Sequence, residues 1–345
     1  MPTIDWAAHP GLDDALLALY DGTDEKRTSP EAALELSMAY GLPITGHKVR
    51  NRYAELRAKG EVENTRKPFE AAYEEFNRYI GYAPHEFEIP KSLEAQRRRY
   101  LVLSDLHIPF HNKEALASIV QSHPEMDGVI LAGDFLDCYS LSRFLKERDA
   151  PLQDELAQGK AVLTTLAERY PKVWAIGGNH ERRSLNFFAQ RLPAELLFLV
   201  SYNLLEYITH NLPNVEIVKN EHKDVTTEHF FELGDCVIAH AETTSKVPLK
   251  HVQGFEEWLR KWRYALEQKS WRAIMQAHSH QGGQFYAHGG EILWMELGSL
   301  VTLKGMDYAL RGDVKYSPPT LGYGLLVQDE GRTDFGETRF IPLAA

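Results

Sequence analysis

Five short apolar runs in this chain end in side chains that can bind a cation or move a proton. YLVL (100–103) runs into Ser104-Asp105-Leu106-His107, GVILA (128–132) into Gly133-Asp134, and KVWAI (172–176) into Gly177-Gly178-Asn179-His180-Glu181. CVIA (236–239) ends at His240, and AIMQA (273–277) at His278-Ser279-His280. Each pattern alone is weak: Asp-x-His and His-x-His arise often by chance, and a polar residue at a strand end is ordinary. Five strand ends doing the same thing are not ordinary. Together they offer carboxylate, imidazole and amide oxygen donors and no thiolate. That set suits Mn, Fe, Zn, Ni or Co and does not suit a structural thiolate zinc site. It also holds too many donors for one ion. Two ions about 3.5–4 Å apart, sharing a bridging carboxylate, would use them all.

The elements that must position these residues follow from periodicity. The apolar runs alternate with helical patterns at 113–122, 152–169, 181–190 and 252–268. This predicts an α/β sheet with chemistry at the carboxyl ends of its strands. GQFYAHG, EILWMEL, YGLLVQ and ETRFIPL follow without intervening helices and read as antiparallel strands of a second sheet.

The N-terminal part is organised differently. Residues 5–40 carry eight acids and two bases, whereas residues 41–67 carry seven bases and three acids. Ser29-Pro30-Glu31 is a helix start, with Ala32, Ala33, Leu36, Ala39 and Tyr40 as an apolar face and Gly41 as the stop. Thr45 caps a second helix with a Val49, Tyr53, Leu56 stripe that ends at Gly60. Lys48, Arg50, Arg52, Arg57 and Lys59 lie largely off that stripe. Two helices, a tight turn and a basic second helix make a helix-turn-helix candidate, with those five cations as nucleic-acid contacts. The same basic face would serve equally as a solvated surface. FEAAYEEFNRYI (69–80) reads as a helix and YAPHEFEIP (82–90) as extended loop. The expected organisation is 1–65 helical, 66–97 connecting helix and linker, and 98–345 catalytic.

Composition sets bounds. The net charge of −11 argues against a wholly basic nucleic-acid coat but permits a local basic surface. Two cysteines, Cys138 and Cys236, imply no disulfide framework, and a reducing cytoplasm is the simplest location. No secretory signal and no bilayer-spanning apolar run is evident, so no membrane partner is expected.

Asp105-x-His107, Gly133-Asp134-x-x-Asp137, Gly178-Asn179-His180-Glu181, His240 and His278-x-His280 resemble, in order, the signature of calcineurin-like metallophosphoesterases. Gly298-Ser299 also resembles the Gly-Ser late in smaller members. The resemblance spans about residues 98–300. It implies an αββα sandwich, two packed mixed sheets flanked by helices. It implies two divalent metal ions, manganese first among the candidates. Asp105, His107 and His280 would hold one ion, and Asn179, His240 and His278 the other, with Asp134 bridging. A water or hydroxide between the ions would be the nucleophile. His180 resembles the acid that assists the leaving oxygen, and Asp137 the carboxylate that orients it. Gly177 and Gly178 would provide the tight turn.

The departures bear on substrate. Protein phosphatases of this superfamily have Arg-Gly after the second aspartate, where this chain has Cys138-Tyr139. Arg143, Arg182 and Arg183 are the candidates to replace that arginine at the phosphate. The loop after His240 adds Lys246, Lys250 and His251. The expectation is a phosphodiesterase or nuclease acting on DNA or RNA in a bacterial or phage-infected cytoplasm. The alternatives are a phosphomonoesterase acting on nucleotides or proteins, and a nucleic-acid-binding protein with a silent phosphoesterase domain. The sequence leaves oligomeric state open.

Overall fold

In a computed structural model, the structure describes residues 6–9, 11–21, 29–58, 68–80, 97–142, 150–193, 195–196, 204–222, 225–227, 229–242, 245, 247–266, 270–306 and 319–344. The chain forms two compact units, Met1–Lys67 and Pro68–Ala345. In the first unit, α1 (Leu12–Asp21), α2 (Ser29–Tyr40) and α3 (Gly46–Ala58) enclose a small core of Leu12, Leu16, Ala32, Ala33, Leu36, Ile44, Val49 and Leu56. Gly41 ends α2 at φ +65°, and Thr45 Oγ1 accepts from Lys48 N at the start of α3. Ala39, expected on the buried face, is exposed instead.

The second unit begins with α4 (Pro68–Ile80), which is no detached connector. Phe76 and Ile80 enter the main core, and Thr165 Oγ1 donates to Asn77 Oδ1 at 3.1 Å. There follow β1 (Arg97–Leu103), α5 (Lys113–Ser122), β2 (Gly128–Ala132), α6 (Leu152–Arg169), β3 (Val173–Ile176), α7 (Arg183–Ala189), α8 (Leu204–Thr209) and β4 (Val215–Ile217). After the short ribbon β5 (Asn220–His222) and β6 (Val225–Thr227) come β7 (Phe230–Leu233), β8 (Cys236–Ala239), α9 (Lys250–Leu266) and β9 (Ala273–Gln276). The described chain ends with β10 (Gly282–Ala287), β11 (Ile292–Leu297), β12 (Gly322–Asp329), β13 (Arg332–Thr333) and β14 (Arg339–Pro342).

One sheet runs β13-β12-β1-β2-β3-β4, with β14 on β12; the other runs β10-β11-β9-β8-β7. β1 to β4 are mutually parallel, as are β8, β9 and β11. Strand alternation divides the apolar residues between two faces. Tyr100, Val102, Ile130 and Ile176 pack between the sheets against Ile238, Met275, Leu293 and Met295. Leu101, Leu103, Val129 and Leu131 face the other way, into a layer with Phe76, Leu116, Val162 and Leu166 from the helices. Val237, Ala239 and Ile274 take Val252, Phe255 and Leu259 of α9 on the outer face of the second sheet. The result is the expected αββα sandwich.

The assignment of the late strands needs correction. YGLLVQ and ETRFIPL, expected in the second sheet, form β12 and β14 of the first. β11 pairs antiparallel with β10 as expected, but its other edge pairs parallel with β9. Local pattern encodes which residues alternate but not which strand edge they reach. The β12 run is buried almost throughout, as befits a strand covered on both faces.

Leu166 is fully buried in α6 and Leu185 on α7 is 39% exposed. Leu166→Ala should therefore cost about 2–5 kcal/mol of unfolding free energy and Leu185→Ala under about 0.5, measured by urea denaturation.

Candidate metal centre

Asp105, His107, Asp134, Asn179, His240, His278 and His280 all sit just past the carboxyl ends of β1, β2, β3, β8 and β9. Because those strands are parallel within each sheet, their carboxyl ends meet along one edge of the sandwich. Three overlapping groups of ligand atoms lie within 4.8 Å of one another: Asp105 with His107 and His280, His107 with Asp134 and His180, and Asp134 with His240 and His278. Asn179 joins through its Oδ1, 3.2 Å from His240 Nε2.

The backbone at these residues is unusual. Asp105, His107, Asp134, His278 and His280 have φ values of 51°, 49°, 46°, 74° and 56°. Left-handed backbone costs a residue with a Cβ about 1–3 kcal/mol and persists only where its surroundings dictate it. Five such residues in one cluster mark a site in which side-chain position overrides local preference.

The glycines serve close approach. A methyl group on Gly178 would lie 2.1 Å from Asp134 Oδ1, and one on Gly133 would lie 2.3 Å from His240 Nδ1. Gly178 is not in the left-handed region, so it is needed for room rather than for the turn expected from sequence.

The tautomers reveal what the cluster is built to hold. His107 Nδ1 lies 2.9 Å from Asp137 Oδ1, and His240 Nδ1 lies 2.9 Å from the Ala132 carbonyl. Those oxygens only accept, so each Nδ1 carries a proton and each ring turns Nε2 inward, where it offers a lone pair whenever the ring is neutral. His107 Nε2 meets His280 Nε2 at 3.1 Å, and His280 Nε2 meets Asp105 Oδ1 at 3.1 Å. His240 Nε2 meets Asp134 Oδ2 at 3.3 Å. Asp105 Oδ1 is buried without a hydrogen-bond donor. Lone pairs facing lone pairs in a dry site need cations between them. The residues therefore fit divalent metal ions, and the absence of thiolate suits the harder transition metals.

Electrostatics agree. Burial pushes the Asp105 and Asp134 carboxyls up, but the imidazoles of His280, His180 and His240 outweigh it and hold both carboxyls below the usual range. Burial alone would lower His240, yet Asp134 raises it to about 10. Burial, with His240 beside it, lowers His278 to about 4. Without a cation, a proton on His240 takes its place.

His180 stands beside the cluster. Its Nε2 lies 3.7 Å from Asp134 Oδ2, its backbone N–H donates to Asp134 Oδ1, and its Nδ1 lies 3.0 Å from Asp137 Oδ1 and 2.9 Å from the Asp137 carbonyl. Asp137 is thus shared between His180 and His107, and these hydrogen bonds overcome burial to keep its carboxyl low. Arg183 Nη2 lies 2.8 Å from His180 Nε2. Arginine can only donate, so during that contact the His180 proton sits on Nδ1. Arg182 instead reaches His229 Nε2 at 3.1 Å and Glu242. Arg143 and Lys246 lie outside the described residues.

Two buried acids bind the loops together. Glu181 accepts from Leu136 N and Gly178 N at 2.8 Å each, joining the loops after β2 and β3. Glu155, on α6, accepts from Cys138 N and Tyr139 N. Burial raises their carboxyls to about 7 and about 8. Sequence reading gave neither acid a role. Glu155 occupies the apolar stripe of α6 with Gly159, Val162 and Leu166, and an acid on such a stripe was the available signal. Both cysteines are buried and free.

In the first unit, Arg52 is taken up by Asp13, at 2.9 and 2.6 Å, and by Glu55 at 3.0 Å. It buttresses the helices and is withdrawn from the expected nucleic-acid contacts. Arg50 is exposed, and Lys48 Nζ donates to the Pro43 carbonyl. The Arg57 side chain and Lys59 lie outside what is described.

Residues 98–315 match the profile of the calcineurin-like phosphoesterases, and the chain belongs to that family. No curated protein matches the sequence. Among solved structures, it is similar to a metallophosphoesterase from Sphaerobacter thermophilus at 12% identity, over 71% of this chain and 88% of that one, with TM-score 0.36. It is also similar to Vps29 from Entamoeba histolytica complexed with Zn2+, at 10% identity, over 71% and 98% of the two chains, with TM-score 0.35. A protein from Streptococcus pneumoniae described as a predicted phosphoesterase matches at 14% identity over 72% and 98%, with TM-score 0.27. No helix among the described residues is long and apolar enough to cross a membrane.

Gly178→Ala should displace Asp134 and weaken Mn2+ binding at least tenfold, read by calorimetry, while far-ultraviolet circular dichroism stays native. Mn2+ binding should also release protons. In the metal-free protein, protonated His240 contributes stability that is complete below about pH 6.5 and is lost as the pH rises through about 10. The cation competes for the same lone pair, so affinity should rise with pH across that window. Titration in buffers of differing ionisation enthalpy checks this.

Proposed function

We propose that this protein is a dinuclear-metal phosphoester hydrolase, a phosphodiesterase or nuclease acting on nucleic acid. The observation that carries the hydrolase reading is the inward convergence of unshared lone pairs from five strand ends, with the Asp137–His180 pair beside them. Asp105, His107 and His280 would hold one ion and Asn179, His240 and His278 the other, with Asp134 between. When bound, the ions would lower the pKa of a water that attacks phosphorus in line and would neutralise charge on the phosphoryl oxygens.

The side chains supply the rest. Asp134 is fixed in place by the His180 backbone N–H and by the room that Gly178 leaves. Asp137 holds the His180 ring by Nδ1. Burial lowers the His180 imidazole, but Asp134 and Asp137 more than offset it, so that Nε2, once free of Arg183, can take up a second proton and deliver it to the leaving oxygen. Burial of Asp105, His107 and Asp134 keeps bulk water away from the charges. The three-helix unit, with Arg50 exposed on α3, supports nucleic acid as the substrate class. The buried free cysteines are compatible with the cytoplasmic setting of this reading.

In Mn2+, a bis-aryl phosphodiester and single- or double-stranded DNA should be cleaved faster than an aryl monoester. Asp134→Asn should abolish turnover, and His180→Ala should lower kcat about 10²- to 10⁴-fold. Turnover of the monoester alone would exclude the nuclease reading, and turnover of none would exclude the enzyme.

A further inference from the structure

Among the cations around the centre, one is placed differently from the others. Arg182 is engaged by Glu242 and His229 on the flank. Arg183, the first residue of α7, is about 20% exposed and turns its guanidinium to the rim of the cluster. Nη1 donates to the Asp137 carbonyl at 2.8 Å, and Nη2 donates to His180 Nε2 at 2.8 Å. Its nearest carboxylate oxygen among the described residues, Asp137 Oδ2, stands off at 3.6 Å and belongs to an acid already bonded to two histidines. These contacts occupy two of the five N–H donors of a guanidinium.

This is an unusual resting place for an arginine. A neutral imidazole nitrogen is a weak partner for a cation that seeks anionic oxygens. The partner is also the atom nearest the centre: His180 Nε2 lies 3.7 Å from Asp134 Oδ2. A phosphoryl group beside Asp134 would bring anionic oxygens to that place. They would outcompete His180 Nε2 for the guanidinium.

We propose that Arg183 is a phosphate-binding side chain of this centre, one that leaves His180 Nε2 to hold a non-bridging phosphoryl oxygen. The exchange does two things at once. It places a fixed positive fork on the substrate, and it uncovers the nitrogen that must face the leaving oxygen. The Nη1 bond to the Asp137 carbonyl stays in place as the pivot. The proposal rests on the hydrolase reading for its substrate, but phosphate binding can be measured without turnover.

The test is calorimetric titration of the Mn2+-loaded full-length protein with inorganic phosphate, alongside its metal content and steady-state kinetics with a bis-aryl phosphodiester. Arg183→Ala should weaken phosphate binding about tenfold or more and raise KM, with metal content unchanged. Arg183→Gln keeps a donor for the Asp137 carbonyl and lacks the charge, so it should show the same loss even if Arg183→Ala folds poorly. Lys172→Ala, at the opposite end of β3, should bind phosphate within twofold of wild type and so exclude a general charge effect. Phosphate binding within twofold of wild type in Arg183→Gln would overturn the proposal. If the wild type turned over the diester and the Arg183 variants bound phosphate normally, this proposal alone would fall. If the wild type turned over nothing while Arg183→Gln still lost phosphate, the hydrolase reading would fall and the binding role would stand.

Discussion

The structure depends on one electrostatic constraint: the carboxylates of Asp105 and Asp134 are buried together among imidazoles that turn lone pairs toward them. Charge taken out of water must be compensated. Here the protein supplies compensation through a proton on His240 and hydrogen bonds from the backbone at His180 and His278. The same donor set suits divalent cations, which would take the place of that proton. Much of the surrounding architecture follows from that need. Five left-handed residues bring donors to one place, and Gly133 and Gly178 leave the space their side chains would fill. The backbone strain is held by two well-packed cores, one between the sheets and one beneath the helices.

A second layer keeps the first in register. Glu181 joins the loops after β2 and β3, and Glu155 reaches from α6 to the backbone beyond Asp137. Both are acids whose burial favours the protonated form, although their oxygens accept from backbone amides as a carboxylate would. Asp134 acts on Glu181 and Asp137 on Glu155, so cations bound beside those aspartates would help both acids ionise. The loops and the metal centre are therefore coupled electrostatically as well as sterically. The same layer separates the roles of two adjacent arginines. Arg182 serves the flank and Arg183 the rim, because the start of α7 turns successive side chains in different directions.

Sequence by itself determined the donor set, its order along the chain and its location at strand ends. Those are local facts: an apolar run that stops at Asp-x-His or His-x-His is visible in a few residues. The apolar character of YLVL was visible in the same way, though not which of its residues would face which layer. So were the buried Val49 and Leu56 of α3, because both follow a helical period. Tertiary structure alone decided which edges the late strands join, since β12 and β14 carry no local mark of their sheet. It alone withdrew Arg52 to Asp13, 39 positions away, and exposed Ala39. It alone showed that Gly178 makes room for Asp134 and that Arg183 rests on His180. The physical reason is common to all of these. Periodicity and capping act over one or two turns of chain, whereas strand pairing, close approach and charge partnership join residues that only the packed fold brings together.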